Sequence, residues 1–163
     1  MLTLRPATLD DAFAIALLLT GLNEAVGPSL GDDQVIVSAD QARKRLEVMA
    51  PGEQVLIAHV DGAPVGFLSL RIVSQLSQDV PYAEVTELYV AAPHRRCGVA
   101  RLLMAEAEFT ARKRGCTYVH VNTWHDNEVA QAFYRAAGYE PLVAGFEKPL
   151  PRKTNAKRRR AEG

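Results

Sequence analysis

Apolar and polar positions change their period several times along the chain, and each change predicts an element. Leu2 to Arg5 alternates and predicts an edge strand stopped by Pro6. Thr8-x-x-Asp11 then opens a helix that runs to about Glu24, with Phe13, Ala16, Leu17 and Thr20 on one face. Val26 to Val37 holds Gly27, Pro28 and Gly31 and reads as a loop carrying Asp32 and Asp33. Ser38-x-x-Gln41 is a capping box for a second helix, with Ala42, Leu46 and Met49 inward and Pro51-Gly52 at its end. Gln54 to Val60 predicts a strand, Asp61-Gly62 a hairpin turn, and Pro64 to Gln75 its partner.

The stretch from Glu84 to Met104 is the centre of the pattern. A strand (Glu84 to Val90) leads through a tight loop to a helix opening near Gly98, with Val99, Leu102, Leu103 and Phe109 as its apolar face. The loop brings backbone N–H groups to a helix N-terminus, and Gly98 and Ala100 leave little side chain in the way. Unpaired donors at the positive end of the helix dipole suit phosphate oxygens, and Arg95, Arg96 and Arg101 add cationic charge. The stretch is neither a P-loop, lacking Gly-Lys-Ser/Thr, nor a dinucleotide fingerprint, lacking two further glycines.

The helix after the loop ends in Arg112-Lys113-Arg114-Gly115, cations in the last turn and glycine beyond it. Cys116 to Thr123 is another strand, and the connecting helix makes it a parallel neighbour of the central one. A fourth helix runs from about Glu128 to Ala137 and is closed by Gly138. Val129, Phe133 and Ala137 form its core stripe, and Asn127, Ala130 and Tyr134 share a neighbouring face. Tyr139 to Leu150, broken by Pro141 and Gly145, predicts one or two short strands. The order is β α α β β β α β α β, an α/β chain with a mixed sheet and helices on both sides.

Composition sharpens this picture in three ways. The formal net charge is +0, yet residues 1–150 carry −5 and residues 151–163 carry +5. The expected organisation is therefore one domain over 1–150 and a basic, disordered tail over 151–163. Two cysteines, Cys97 and Cys116, are too few for a disulfide framework, and no segment has the length and apolarity of a membrane span. A cytoplasmic enzyme with reduced thiols and no membrane partner is the expectation. His59, His94, His120 and His125 have no metal-ligand spacing, and no metal is expected.

Arg95-x-x-Gly98-x-Ala100, preceded by Glu87-Leu88-Tyr89-Val90, resembles the acetyl-CoA signature of the GNAT superfamily of N-acetyltransferases. Asn127-x-x-Ala130-x-x-Phe133-Tyr134-x-x-x-Gly138-Tyr139 resembles that family's second coenzyme A motif, and together the two motifs cover about the second half of the chain. The resemblance implies a GNAT-like, mostly antiparallel sheet whose splayed parallel strand pair holds acetyl-CoA as co-substrate. It implies that Leu88, Tyr89 and Val90 partner the pantetheine and that the amides of Arg96, Cys97, Gly98, Val99, Ala100 and Arg101 hold the pyrophosphate, with Arg95 alongside. Asn127 would hydrogen-bond the pantetheine arm, with Ala130 and Phe133 beside it, and Tyr134 would lie near the sulfur and protonate the departing thiolate. Position 96 is Arg and position 100 is Ala where the family more often has Gly.

Amine attack on a thioester needs a base for the proton and a donor for the carbonyl oxygen. Period-two alternation puts Glu84, Thr86, Leu88 and Val90 on one face and Val85, Glu87 and Tyr89 on the other, unless a bulge alters the parity. By the family's spacing Glu84 is favoured as the base, with Glu87 the competing carboxylate. Glu24, Asp32 and Asp33 with the strand glutamates suit a cationic acceptor: a polyamine, an aminoglycoside-like amine or a lysine side chain. The resemblance admits a homodimer, and the KRRR tail a weak nucleic-acid contact. The alternative function is a non-catalytic acyl-CoA-binding sensor or interaction domain.

Overall fold

A computed structural model describes residues 1–26 and 36–142. The expected loop carboxylates Asp32 and Asp33, the strands of the last apolar segment beyond 142 and the basic tail lie outside the described residues. The chain divides into two compact units, Met1–Asp126 and Asn127–Gly163.

The first unit is built on one five-stranded sheet in the order β1-β2-β3-β4-β5. Its strands are β1 (Leu2–Pro6), β2 (Gln54–Val60), β3 (Ala63–Val73), β4 (Tyr82–Val90) and β5 (Val119–Val121). The first four pair antiparallel, and only β4 and β5 run parallel. That is the expected mixed sheet, with the parallel pair where a connecting helix demands it.

One face of the sheet is covered by α1 (Ala12–Val26) and α2 (Ala39–Glu47), whose Ile15, Leu18, Leu19 and Ala42 pack on Ile57 and Phe67. The opposite face, which carries Leu56, Leu68, Leu70 and Val85, is covered by α3 (Val99–Lys113) through Val99, Leu103, Met104 and Ala107. Two expected helix stripes are corrected. In α1 the buried positions are Ala12, Ile15, Ala16, Leu18 and Leu19, while Phe13 and Leu17 are exposed. The run AFAIALLL is apolar all round, so period alone allowed two stripes, and packing on the sheet selected the other one. In α3, Leu102 and Phe109 lie on the open side and Met104, Ala107 and Ala111 replace them inside.

Capping residues set the helix boundaries. Ser38 Oγ accepts from the Gln41 N–H at 3.2 Å, and the Ser38 N–H donates to Gln41 Oε1 at 2.8 Å, a reciprocal capping box. At the C-terminus of α3, Gly115 adopts φ +76°, the Cys116 N–H reaches Ala111 C=O and the Gly115 N–H reaches Arg112 C=O. That double bond pattern is a Schellman stop, and it needs a residue without a Cβ at the left-handed position.

Before α1, a single 3-10 turn (Leu9–Asp11) is fixed by Asp11, the one buried charged residue among those described. Both Arg5 terminal nitrogens donate to the Asp11 carboxylate at 2.7 Å, and the Thr8 N–H donates to Oδ2 at 2.8 Å. The Arg5 pair first, and the Thr8 amide after it, hold the Asp11 carboxyl well below the usual carboxylate range. Because the folded-state pKa is depressed, the stabilisation is full above pH 4 and is lost as pH falls through the acid range. Asp11→Asn is expected to cost about 1–2 kcal/mol at pH 7, the half-exposed Arg5 keeping the figure low. Thermal melts should show the gap between wild type and Asp11→Asn constant above pH 5 and narrowing as pH falls below 4, and a gap independent of pH would refute the linkage.

Candidate functional site

β4 is bonded to β3 along its whole length but to β5 only through Ala83, Glu84 and Val85. Beyond Val85 the two parallel strands part, and the β5-facing edge of β4 is unpaired among the described residues. The phase of the ladder tells which groups line that edge. The Ala91 N–H bonds to Val65 C=O, so Ala91, Tyr89 and Glu87 direct their backbone groups toward β3. Leu88 and Val90 therefore direct N–H and C=O to the open edge, where the Val90 C=O already accepts from Arg95 Nε, and Tyr89 does not. Of the three strand residues expected to meet an extended ligand arm, two are oriented for backbone pairing.

A β-bulge at Thr86 resets the faces. Ser69 pairs with Glu87 and Leu70 with Val85, leaving Thr86 as the extra residue. The expected separation of Glu84 from Glu87 is thereby corrected: Glu84, Glu87 and Tyr89 share the face on which α1 and α2 pack. The two carboxylates differ in their surroundings. Glu84 Oε2 accepts from Arg71 Nε at 2.6 Å and lies 2.5 Å from Arg71 Nη2, and its side chain is 13% exposed. Arg71 is raised above its ordinary pKa by that pairing. Glu87 is exposed, and its Oε2 takes only a 3.3 Å bond from the Thr86 hydroxyl. Arg71 did not stand out in the sequence. The signal that could have found it was its place on the long strand antiparallel to β4, opposite a glutamate.

At the end of β4 the chain turns through a 3-10 turn (Ala92–His94) into the loop before α3. Arg95 Nε donates to Val90 C=O at 2.9 Å, and its guanidinium stands 5.8 Å from the centroid of the Tyr89 ring. Arg95 thus clamps the strand end. Arg96 has φ +61° and Gly98 φ +82°, left-handed residues flanking Cys97. Such turns converge successive amides into a concave anion nest, here continuous with the first N–H groups of α3, which no side chain caps. A Cβ placed on Gly98 would meet nothing within 4 Å, so the space over the nest is open. The Arg96 and Arg101 side chains are exposed beside it. Cys97 is exposed too, its sulfur 3.4 Å from Arg95 C=O.

The second unit contains α4 (Glu128–Ala136). Asn127 is its N-cap, with Oδ1 accepting from the Ala130 N–H at 3.0 Å, which leaves the side-chain NH2 without a partner among the described residues. Phe133 and Tyr134 meet edge to face at 5.3 Å between centroids, and Tyr134 meets Tyr139 at 5.9 Å. The Tyr139 N–H bonds to Tyr134 C=O and the Gly138 N–H to Arg135 C=O, with Gly138 at φ +90°. This Schellman stop folds Tyr139 back onto Tyr134. Burial pushes the Tyr134 phenol up to about 12. The expected apolar stripe of α4 is corrected at Val129, which is 79% exposed in the first turn. The described residues that pack together on this helix are the aromatic ones.

The model of the acetyltransferase (GNAT) family matches residues 24–139. An aminoglycoside N(6')-acetyltransferase type 1 of Klebsiella aerogenes is 32% identical over 108 residues, covering 64% of this chain and 71% of that protein. A protein of the same name from Stenotrophomonas maltophilia is 29% identical over 153 residues, covering 91% of this chain and 94% of that one. Among solved structures, the aminoglycoside acetyltransferase meta-AAC0020 from an uncultured soil metagenomic sample, crystallised with sisomicin, superposes with a TM-score of 0.75. It shares 22% identity, with 92% of this chain and 97% of that chain covered.

Proposed function

The chain belongs to the acetyltransferase (GNAT) family and is an acetyl-CoA-dependent N-acetyltransferase, and from that premise we propose that it acetylates a primary amine of a cationic amino sugar by direct attack in a ternary complex. The observation that carries the cofactor half of this reading is the continuity of the open β4 edge with the anion nest. A pantetheine arm added to Leu88 and Val90 as a further strand would lead its pyrophosphate onto the amides from Arg96 to Arg101. The amino-sugar half rests on the aminoglycoside N(6')-acetyltransferases that the chain resembles. Residues 1–150 act as one catalytic domain in this reading, with 151–163 appended to it.

The chemistry then assigns roles. The amine nitrogen attacks the thioester carbonyl carbon, the C–S bond breaks, and the amine gives up a proton. The Leu88 N–H is the first backbone donor on the open edge beyond the β4–β5 pairing, and it donates a hydrogen bond to the carbonyl oxygen as negative charge develops there. Tyr134 donates a hydrogen bond to the leaving sulfur, and the Asn127 NH2 group meets a pantetheine carbonyl.

For the base we propose Glu87 over Glu84. Both lie on one face, but Glu84 already has its oxygen bound by Arg71, whereas Glu87 is exposed one residue before Leu88. Thiol release from acetyl-CoA with sisomicin tests this. Glu87→Gln is expected to lower kcat/KM about 100-fold near neutral pH and to recover as rising pH supplies the free amine. Glu84→Gln is expected to cost less than tenfold, and the reverse ranking would return the base to Glu84. Acetyl-CoA binding without thiol release on amino sugars, diamines or lysine peptides would support the non-catalytic alternative.

A further inference from the structure

The face of the sheet that carries Glu87 continues toward the start of β4 as an aromatic surface. His120 of β5 stands opposite Glu84, and the Tyr82 and Tyr118 rings stack at 5.1 Å between centroids with 9° between their planes. The His120 ring lies 6.3 Å from Tyr82. Tyr118 is 42% exposed, so the stacked pair offers aromatic surface to solvent instead of filling a core. Tyr82 and Glu87 lie opposite Val73 and Ser69 of β3, four ladder steps apart, a run of roughly 13 Å. Between them the Glu84–Arg71 pair is internally neutralised, which leaves Glu87 as the carboxylate of this β4 segment without an ionic partner among the described residues.

We propose that this surface is an extended acceptor subsite for multi-ring amino sugars, with the reacting amine at Glu87 and a distal ring on the Tyr82–Tyr118 pair. The proposal rests on the amino-sugar reading above and adds to it where the non-reacting rings bind. Its physical basis is that tyrosine faces take both the apolar side of a sugar ring and an ammonium group, each contact contributing modestly in water. A single-ring amine held at Glu87 cannot span the distance to Tyr118, and a multi-ring one can. Tyr118 therefore acts as a specificity-determining residue.

The test is the ratio of kcat/KM for sisomicin to that for 6-amino-6-deoxyglucose, a single-ring amine, measured by thiol release. Tyr118→Ala is expected to lower this ratio about tenfold, through the KM for sisomicin, and Tyr118→Phe to restore it, since the ring and not the hydroxyl makes the contact. Tyr118 is largely on the surface, and the far-UV circular dichroism of the variant confirms that it folds. Sisomicin turnover with a ratio unmoved by Tyr118→Ala overturns the subsite and leaves the amino-sugar reading standing. Wild-type turnover of diamines or lysine peptides but of neither sugar overturns both.

Discussion

Gly66→Ala is expected to lower the melting temperature by roughly 5–10 °C and to raise the KM for acetyl-CoA about tenfold. Gly66 pairs with Val90 at the point where β3 itself carries a bulge opposite Ala58 and His59. A Cβ placed there would sit 2.8 Å from the Tyr89 carbonyl oxygen, 3.3 Å from Val90 Cγ2 and 3.4 Å from Val90 Cα. The first contact is closer than real Cβ atoms tolerate, and it is to backbone, which cannot rotate away. The strands must part locally, at a cost of about 2–3 kcal/mol from overpacking and weakened ladder bonds. For a chain of this length each kcal/mol moves the melting temperature by about 2–4 °C.

The functional half of that prediction follows from where β4 would move. Leu88 and Val90 present their amides and carbonyls to the open edge, so a shift of Tyr89 and Val90 misaligns the groups proposed to bind the pantetheine. Gly21→Ala offers a contrast within the same fold. Its added Cβ would lie 2.4 Å from the Tyr89 hydroxyl, a contact to the far end of a side chain on the other side of the strand. A melting temperature for Gly66→Ala within 2 °C of wild type would show that the strand yields without strain. A normal KM in a destabilised variant would instead separate stability from the proposed cofactor edge.

The parts of this architecture legible in the sequence were those governed by one local chemistry. Ser38 and Gln41 bracket a helix start, Gly115 and Gly138 mark two stops, and Asp61-Gly62 turns a hairpin, because each rests on a single backbone conformation. The parallel relation of β4 and β5 followed from the helix between them. What could not be read was set by packing between segments. The all-apolar start of α1 left Phe13 and Leu17 as good a stripe as Ile15 and Leu18 until the sheet chose. Nothing local marks Thr86 as a bulge, yet it moves Glu87 and Tyr89 to the face of Glu84 and so decides which carboxylates are neighbours. The left-handed Arg96 was equally hidden, since arginine carries none of glycine's preference for that region.

Tyr134→Phe is expected to reduce kcat by about 10- to 100-fold while leaving the KM for acetyl-CoA within about threefold. Burial raises the phenol to about 12, whereas an ordinary thiol ionises near 8.5. Full proton transfer from such a phenol to a leaving thiolate is uphill by roughly three to four pH units, or about 5 kcal/mol. The phenol is therefore a durable hydrogen-bond donor and a reluctant acid. In the proposed reaction its contribution is one charge-assisted bond to sulfur that strengthens as the C–S bond breaks, in the range of about 1.5–3 kcal/mol for a bond to a charged group. A bond made chiefly in the transition state lowers kcat when removed and leaves ground-state binding alone. The pH profile separates the two roles. A phenol at about 12 stays protonated up to pH 10, so Tyr134 gives wild type no alkaline loss of kcat below that pH, and Tyr134→Phe should scale the profile without changing its shape. An alkaline limb present in wild type and absent in Tyr134→Phe would mean that the phenol titrates during turnover and acts as the acid itself.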